Sequence, residues 1–155
     1  MFHASCWNYE ATAILGGMRC GILHADLVLV NKAKREMTLL RGEKVLRTYR
    51  IALGREPVGA KRQEGDGRTP EGRYRVDWRN PQSKYHLSLH ISYPEAADVE
   101  RAKAEGVDPG GEIMIHGWRA EAEGDWTQGC IAVRNEEMDE IWRLVPDGTA
   151  VLIEA

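Results

Sequence analysis

Short runs of apolar residues, separated by turn-forming polar residues, dominate the chain after residue 25. The runs at 26–30 ("DLVLV") and 149–154 ("TAVLIE") are rich in β-branched and leucine side chains, which is typical of strands. The segment at 85–92 ("YHLSLHIS") alternates strictly between apolar and polar residues, so we expect a strand with one buried and one polar face. This patterning predicts a chain built mainly from strands.

Further strands are predicted at 74–78, 112–116 and 131–133, and the segment 35–54 indicates two strands joined by a hairpin turn at Gly42. With these, we expect about eight strands and two helices. Because the strands outnumber the helices and do not alternate with them, the pattern favours a β-rich fold with helices packed on one side over a doubly wound sheet.

Two helices are predicted from terminal signals and spacing. Pro94 can start a helix that runs to about Glu105, where Gly106 stops it. Asn135 is a suitable N-cap for a second helix, and acidic residues follow it in the first turn. Apolar side chains then recur at helical spacing, at Met138, Ile141, Trp142 and Val145. Pro146 and Gly148 are expected to end this helix.

Composition narrows the class of protein. The 155 residues suggest one domain, and 43% hydrophobic with 29% charged residues is ordinary for a globular protein. The formal net charge is −3 and no long basic run occurs, so we expect no nucleic-acid partner. No apolar run approaches the roughly 18 residues of a membrane helix. Nothing in the pattern indicates an oligomeric state.

The three cysteines divide between the two ends of the chain. Cys6 and Cys20 lie in residues 1–25, which we interpret as an N-terminal extension before a domain at 26–155. The extension is either irregular or the remnant of an export segment, since no positive region precedes its weakly apolar stretch at 11–18. Cys130 is the thiol left over if the first two pair with each other.

Cys130 stands where a glycine-containing turn becomes a strand, and this position suggests chemistry. A free cysteine is often only a small buried hydrophobe. As a nucleophile it needs a base, and His116 at the end of a strand is the candidate. The backbone amides of Gly129 and Cys130 could together stabilise an oxyanion. The glycine-rich loop at 55–73 is long enough to be functional.

The stretches "IMIHGW", "DWTQGCIAV" and "GDGRTPEG" resemble the L,D-transpeptidase (YkuD-type) catalytic domain family, and the resemblance extends from about Asp26 to the C-terminus. It implies a β-sandwich or barrel and, without cofactor or metal, acyl transfer on peptidoglycan stem peptides through a thioester. It also implies work in the periplasm or cell envelope. Carried over, Cys130 is the nucleophile and His116 the base. The resemblance further implies that the Gly117 carbonyl orients the imidazole, and that Thr127 and Gly129 shape the pocket.

The chain departs from the commonest family pattern at two positions and in one spacing. Gln128 stands where most members have histidine, and Ala132 where many have arginine or asparagine. The interval between His116 and Thr127 is also short. We therefore expect a variant branch whose acyl acceptor is open: an amine gives a cross-link, whereas water gives hydrolysis of a stem-peptide or lipoprotein link. A peptidoglycan-binding module without activity is the remaining alternative.

Other polar residues are candidates for binding substrate. Ser88 and His90 would face the cleft from the polar side of their strand, with Gln128 beside the cysteine. The spacing of His86 and His90 also leaves open a zinc site with Cys130 and His116.

Arginines and aromatic residues complete the candidates. Arg68, with Arg73 nearby, would meet substrate carboxylates from the long loop. Arg134 either faces substrate or pairs with a glutamate at the start of the second helix. Asp125 either assists His116 or caps its own turn. Trp118 and Trp126 are either core residues or a platform for glycan or peptide.

Overall fold

The computed structural model describes residues 21–119 and 124–155. In this part of the chain eight strands form one sheet, in the order β3-β2-β1-β8-β4-β5-β6-β7. The strands are β1 (Leu27–Asn31), β2 (Glu36–Arg41), β3 (Lys44–Arg50), β4 (Gly72–Ser83), β5 (His86–Ile91), β6 (Met114–Trp118), β7 (Ile131–Arg134) and β8 (Ala150–Glu154). The helices are α1 (Ala96–Glu105) and α2 (Asn135–Leu144).

The long strand β4 joins two halves of the sheet. Its first residues pair with β8, which in turn lies parallel to β1, and its later residues pair with β5. The pairing with β5 is interrupted by two register shifts, so the sheet changes direction there. On the far side β6 pairs antiparallel with β5 and parallel with β7.

The two ends of the sheet approach each other through the segment that follows β3. There the Ala52 amide donates to the Ala132 carbonyl at 3.0 Å, and the Ala132 amide donates back at 2.9 Å. Gly54 forms a second bridge, to Thr127. The sheet is thereby a nearly closed barrel, and the predicted β-rich class is confirmed.

The core fills the interior of this barrel, and alternation selects its members. In β1 the buried residues are Val28 and Val30, and their partners across the sheet are buried as well. Helix α2 packs against β5, β6 and β7 and adds Met138 and Ile141. Burying each such side chain contributes about 1.5–3 kcal/mol.

The predicted strands and helices are all present, with corrected boundaries. Helix α1 begins at Ala96 because the Glu95 amide donates to the Asp98 carboxylate at 3.0 Å, which fixes Glu95 as the N-cap. The N-cap of α2 is Arg134, and Asn135, predicted as the cap, is the first helical residue.

The polar face predicted for β5 is wrong in one respect. Ser88 is 2% exposed and Ser92 is 8% exposed, so this face is largely covered. The Ser88 hydroxyl donates to the Ser83 hydroxyl, at the end of β4.

The start of the domain is anchored where the described residues begin. The Ala25 amide donates to the Leu144 carbonyl at 2.8 Å, at the end of α2. The predictions for Cys6, Cys20 and the stretch 11–18 lie outside the described residues. No helix in the described ranges is long and apolar enough to span a membrane.

Candidate active site

The turn before Cys130 is fixed by hydrogen bonds of one threonine. The Thr127 hydroxyl accepts from the Gly129 amide at 3.1 Å and donates to the Cys130 carbonyl at 2.7 Å. Thr127 is 3% exposed, so these bonds are shielded from water. The Thr127 hydroxyl therefore holds the turn, and the Gly129 amide, predicted to bind an oxyanion, donates to that hydroxyl in this structure.

Glycine is required in this turn because the long loop passes directly against it. Gly129 has φ +133°, and a Cβ at this position would lie 2.7 Å from the Arg68 carbonyl oxygen. A Cβ on Gly54 would lie 2.1 Å from the Gly67 carbonyl oxygen. The backbone of the loop at 55–73 therefore forms part of the wall on which the cysteine turn rests.

Two buried lysines hold this loop in place. The Lys32 ammonium donates to the carbonyls of Gly59 at 2.9 Å and Thr69 at 2.8 Å, and Glu71 lies 3.6 Å away. Lys61 pairs with Asp66 at 2.9 Å. A buried ammonium requires such partners, so each lysine ties its segment of loop to a defined position.

The other side of the turn is anchored through Asp125. Its carboxylate accepts from the Arg35 guanidinium at 2.8–3.1 Å, and it also accepts from the Leu53 amide at 3.1 Å. Paired donors of this kind give a geometrically specific contact. Asp125 therefore connects the turn to the β1–β2 connection, and it is not the residue that orients His116.

His116 is buried in β6, with an exposed fraction of 2%. Its Nδ1 lies 3.0 Å from the Gly117 carbonyl oxygen. Because a carbonyl only accepts, Nδ1 carries the proton and Nε2 is left as an acceptor. Burial lowers the pKa of His116, with the Gly117 carbonyl opposing this in part. The imidazole is thus a neutral base with a fixed tautomer.

Aromatic rings enclose this imidazole. The Tyr85 ring is stacked on it at a centroid distance of 4.3 Å, and the Trp126 ring lies at 5.8 Å. Trp118 contacts both of these rings, at 5.9 Å from Tyr85 and 4.7 Å from Trp126. We name Tyr85, Trp118 and Trp126 the aromatic wall. The wall keeps water from one face of the base and leaves few rotamers open to it.

Cys130 is half-buried, immediately before β7. Its thiol donates to the Glu112 carbonyl oxygen, with Sγ at 3.4 Å. Burial raises the pKa of the Cys130 thiol, and the backbone amide of Met114 opposes this shift. At neutral pH the thiol is protonated and needs a base to activate it.

Strand register relates the thiol to the base. Ile115 pairs with Ile131, so Cys130 is adjacent to Met114 and two positions behind His116. Side chains two residues apart share a face, which puts Cys130 diagonal to His116, at the separation of about 7–8 Å typical of diagonal neighbours in a sheet. The residue directly opposite His116 is Ala132, which has a small side chain.

The remaining predicted residues are dispersed around this centre. Gln128 is exposed next to the cysteine, and Arg68 lines a different cleft with Glu56 and Asp66. Arg134 pairs with Glu137 at the start of α2.

The two histidines of β5 bind separate carboxylates and do not converge. His90 contacts Asp77 and His86 contacts Asp139, each at 2.6 Å. No group of three metal-binding side chains occurs among residues 21–119 and 124–155.

Several residues that build the site carried no signal in the sequence. Tyr85 was assigned to the apolar face of a strand, yet it precedes β5 and covers His116. Arg35 and Lys32 lie in a turn that looks merely solvated. Their importance comes from contacts with residues 90 and 37 positions away along the chain, respectively.

The described residues thus form a nearly closed barrel that carries a buried histidine and a half-buried cysteine. The chain belongs to the family described as the L,D-transpeptidase catalytic domain, whose family model matches residues 25–153. YafK from Escherichia coli strain K12, a proposed L,D-transpeptidase, is 35% identical over 105 residues, covering 65% of this chain and 37% of that protein. YqjB from Bacillus subtilis strain 168, also a proposed L,D-transpeptidase, is 30% identical over 132 residues. The match covers 81% of this chain and 69% of YqjB.

The solved structures show the same architecture. Pgp2 from Campylobacter jejuni, a helical cell shape determining protein, superposes with a TM-score of 0.66 at 26% identity. The match covers 84% of this chain and 47% of Pgp2. The chain thus spans about a third of the length of YafK and about half of Pgp2.

Proposed function

We propose that this chain is a cysteine acyltransferase that remakes peptide links in peptidoglycan, working in the cell envelope. The observation that supports this most directly is the bond from His116 Nδ1 to the Gly117 carbonyl. It leaves Nε2 as a neutral acceptor on the sheet face that carries Cys130. Membership of the L,D-transpeptidase family supplies the substrate class, a stem peptide.

The proposed reaction uses His116 twice. Nε2 takes the proton from Cys130 as Sγ attacks the carbonyl carbon of an amide in the stem peptide, and it returns that proton to the leaving amine. The C–N bond breaks and a thioester remains. An acceptor amine then attacks the thioester, gives its proton to His116 and releases Cys130 as a thiol. Water as the acceptor gives the hydrolase.

Of the two amides predicted to stabilise the charge of the tetrahedral intermediate, the proposal retains one. Because the Gly129 amide donates to Thr127, we assign the oxyanion to the amide of Cys130, held by the same turn. An amide fixed before the reaction stabilises developing charge without reorganising. The turn contacts of Thr127 therefore serve catalysis indirectly, by setting the direction of this amide.

The proposal can be tested by incubating muropeptides separately with purified wild-type protein and with Cys130→Ala. The products are then analysed by mass spectrometry. We expect the wild type to produce cross-linked dimers, and the alanine variant to lose at least about 10³-fold of this activity with its circular dichroism unchanged. Free stem fragments would assign water as the acceptor. Full activity in Cys130→Ala would refute the thiol mechanism.

Reaction with a carbapenem separates the remaining alternative. This β-lactam acylates an activated active-site thiol, so the wild type should gain the mass of one adduct and Cys130→Ala should gain none. A wild type that binds sacculi and forms no adduct would be a binding module without catalysis, and the proposal would fail.

A further inference from the structure

A cavity lies next to the aromatic wall. Its volume is about 330 Å³, at the lower end of the range for ligand sites. Two members of the wall, Tyr85 and Trp118, form its apolar sides, and each is 37% exposed. The polar residues that line it are Ser83, Lys84, His86, Arg119 and Asn135.

Two cationic side chains line this cavity. Lys84 and Arg119 are both exposed, and neither forms an ion pair with any residue of the described part of the chain. His86 already contacts Asp139 at 2.6 Å. Elsewhere on the barrel, cations such as Arg79 and Arg47 are paired with carboxylates, those of Asp147 and Glu140. Two cations beside two aromatic rings suit a carboxylate attached to an apolar stem.

The position of the cavity relates it to the reaction. Trp118 lies four residues after Met114 in β6, and Met114 is the neighbour of Cys130. Four residues of a strand span about 13 Å. An extended peptide bound along this face would therefore place a residue about four positions from the reacting carbonyl over the cavity. Tyr85 is shared, since its ring stacks on His116 and also lines the cavity.

Building on the proposed function, we propose that the cavity is a distal subsite for a carboxylate of the peptide substrate, bound by Lys84 and Arg119 between the Tyr85 and Trp118 rings. The subsite selects substrates by charge and takes no part in proton transfer. It adds a contact at the end of the peptide remote from the thioester, and so it holds the reacting carbonyl in register with Cys130.

The test uses two soluble acyl-donor peptides that differ only in one distal group, a carboxylate or its carboxamide. We expect the wild type to favour the carboxylate peptide by at least about tenfold in kcat/KM, since hydrogen bonds between ions are about twice as strong as neutral ones. The double variant Lys84→Gln/Arg119→Gln should lose that preference. The control Lys34→Gln/Lys44→Gln removes the same charge from exposed positions, in the β1–β2 connection and at the start of β3, and should keep the preference.

Binding to Cys130→Ala, measured by calorimetry with the same two peptides, separates this proposal from the catalytic one. Tighter binding of the carboxylate peptide, abolished by Lys84→Gln/Arg119→Gln, supports the subsite even if the wild type turns over neither peptide. Equal binding of both peptides, or a preference that survives the double variant, overturns the subsite and leaves the thiol mechanism standing.

Discussion

The two halves of the sheet obey different rules. In β1 and β8 every second residue is buried, as in a sheet with one face on the core. In β6 and β7 three consecutive residues are buried, including His116 and Gly117. The second half is the part of the sheet that carries His116 and the strand following Cys130. Periodic burial thus marks the regular part of the barrel, and its loss marks the part that carries the proposed site.

His116→Gln tests this contrast at its centre and should have the largest effect. Glutamine retains much of the volume and polarity but cannot take a proton, so we expect activity to fall by about 10²–10⁴-fold. Because burial lowers the pKa of His116, the base stays neutral to below its usual 6.5. The wild-type kcat/KM should accordingly fall with acid only below about pH 6.5.

A pH profile of wild-type kcat/KM checks the expected loss of activity below about pH 6.5. Circular dichroism of His116→Gln checks that the variant folds. An acid limb centred above pH 6.5 would mean that a charged imidazolium is stabilised at rest. The inference from burial that the Cys130 thiol and the His116 imidazole are both uncharged at rest would then be wrong.

Gly129→Ala and Gly42→Ala compare the two halves directly, since both glycines have positive φ, +133° and +56°. The Cβ at 129 would strike the Arg68 carbonyl at 2.7 Å, whereas the Cβ at 42 meets nothing within 4 Å. We expect Gly129→Ala to lose about 10²-fold in activity, as for a reacting group displaced by about 1 Å. Gly42→Ala should cost roughly 1 kcal/mol of unfolding free energy and leave kcat unchanged.

Thermal denaturation and kcat measured on both variants give the result. If Gly129→Ala lost stability alone and kept its kcat, the turn would be a folding element like the hairpin at Gly42. The distinction between the halves would then vanish.

The sequence predicted the regular half well for a physical reason. Alternation and turn glycines act locally, so the strands beside "DLVLV", the hairpin at Gly42 and the helix containing Met138 and Ile141 follow from neighbouring residues. Cys130, His116 and Gly129 could also be proposed as site residues from the sequence, because their types and order are specific, and their roles stay predictions.

The supporting contacts could not be read from the sequence because they join distant segments. The ion pair between Arg35 and Asp125 joins residues 90 positions apart, and the Lys32 ammonium donates to the carbonyl of Thr69, 37 positions away. Ser88 was predicted to face a cleft, and only the fold shows that it is buried, with its hydroxyl bonded to Ser83. Long-range contacts of this kind determine which polar residues are buried, and pattern alone does not report them.

Thr127→Val makes the smallest of these changes, since valine has nearly the shape of threonine without its hydroxyl. The Gly129 amide and Cys130 carbonyl would lose their buried partner, at a cost of about 1–3 kcal/mol. If the turn sets the direction of the Cys130 amide, kcat should also fall, by less than the roughly 10²-fold of a full misplacement. Thr127→Ser, which retains the hydroxyl, should restore kcat. A loss of stability in Thr127→Val with kcat unchanged would contradict this role. The Thr127 hydroxyl would then stabilise the turn without setting the direction of the Cys130 amide.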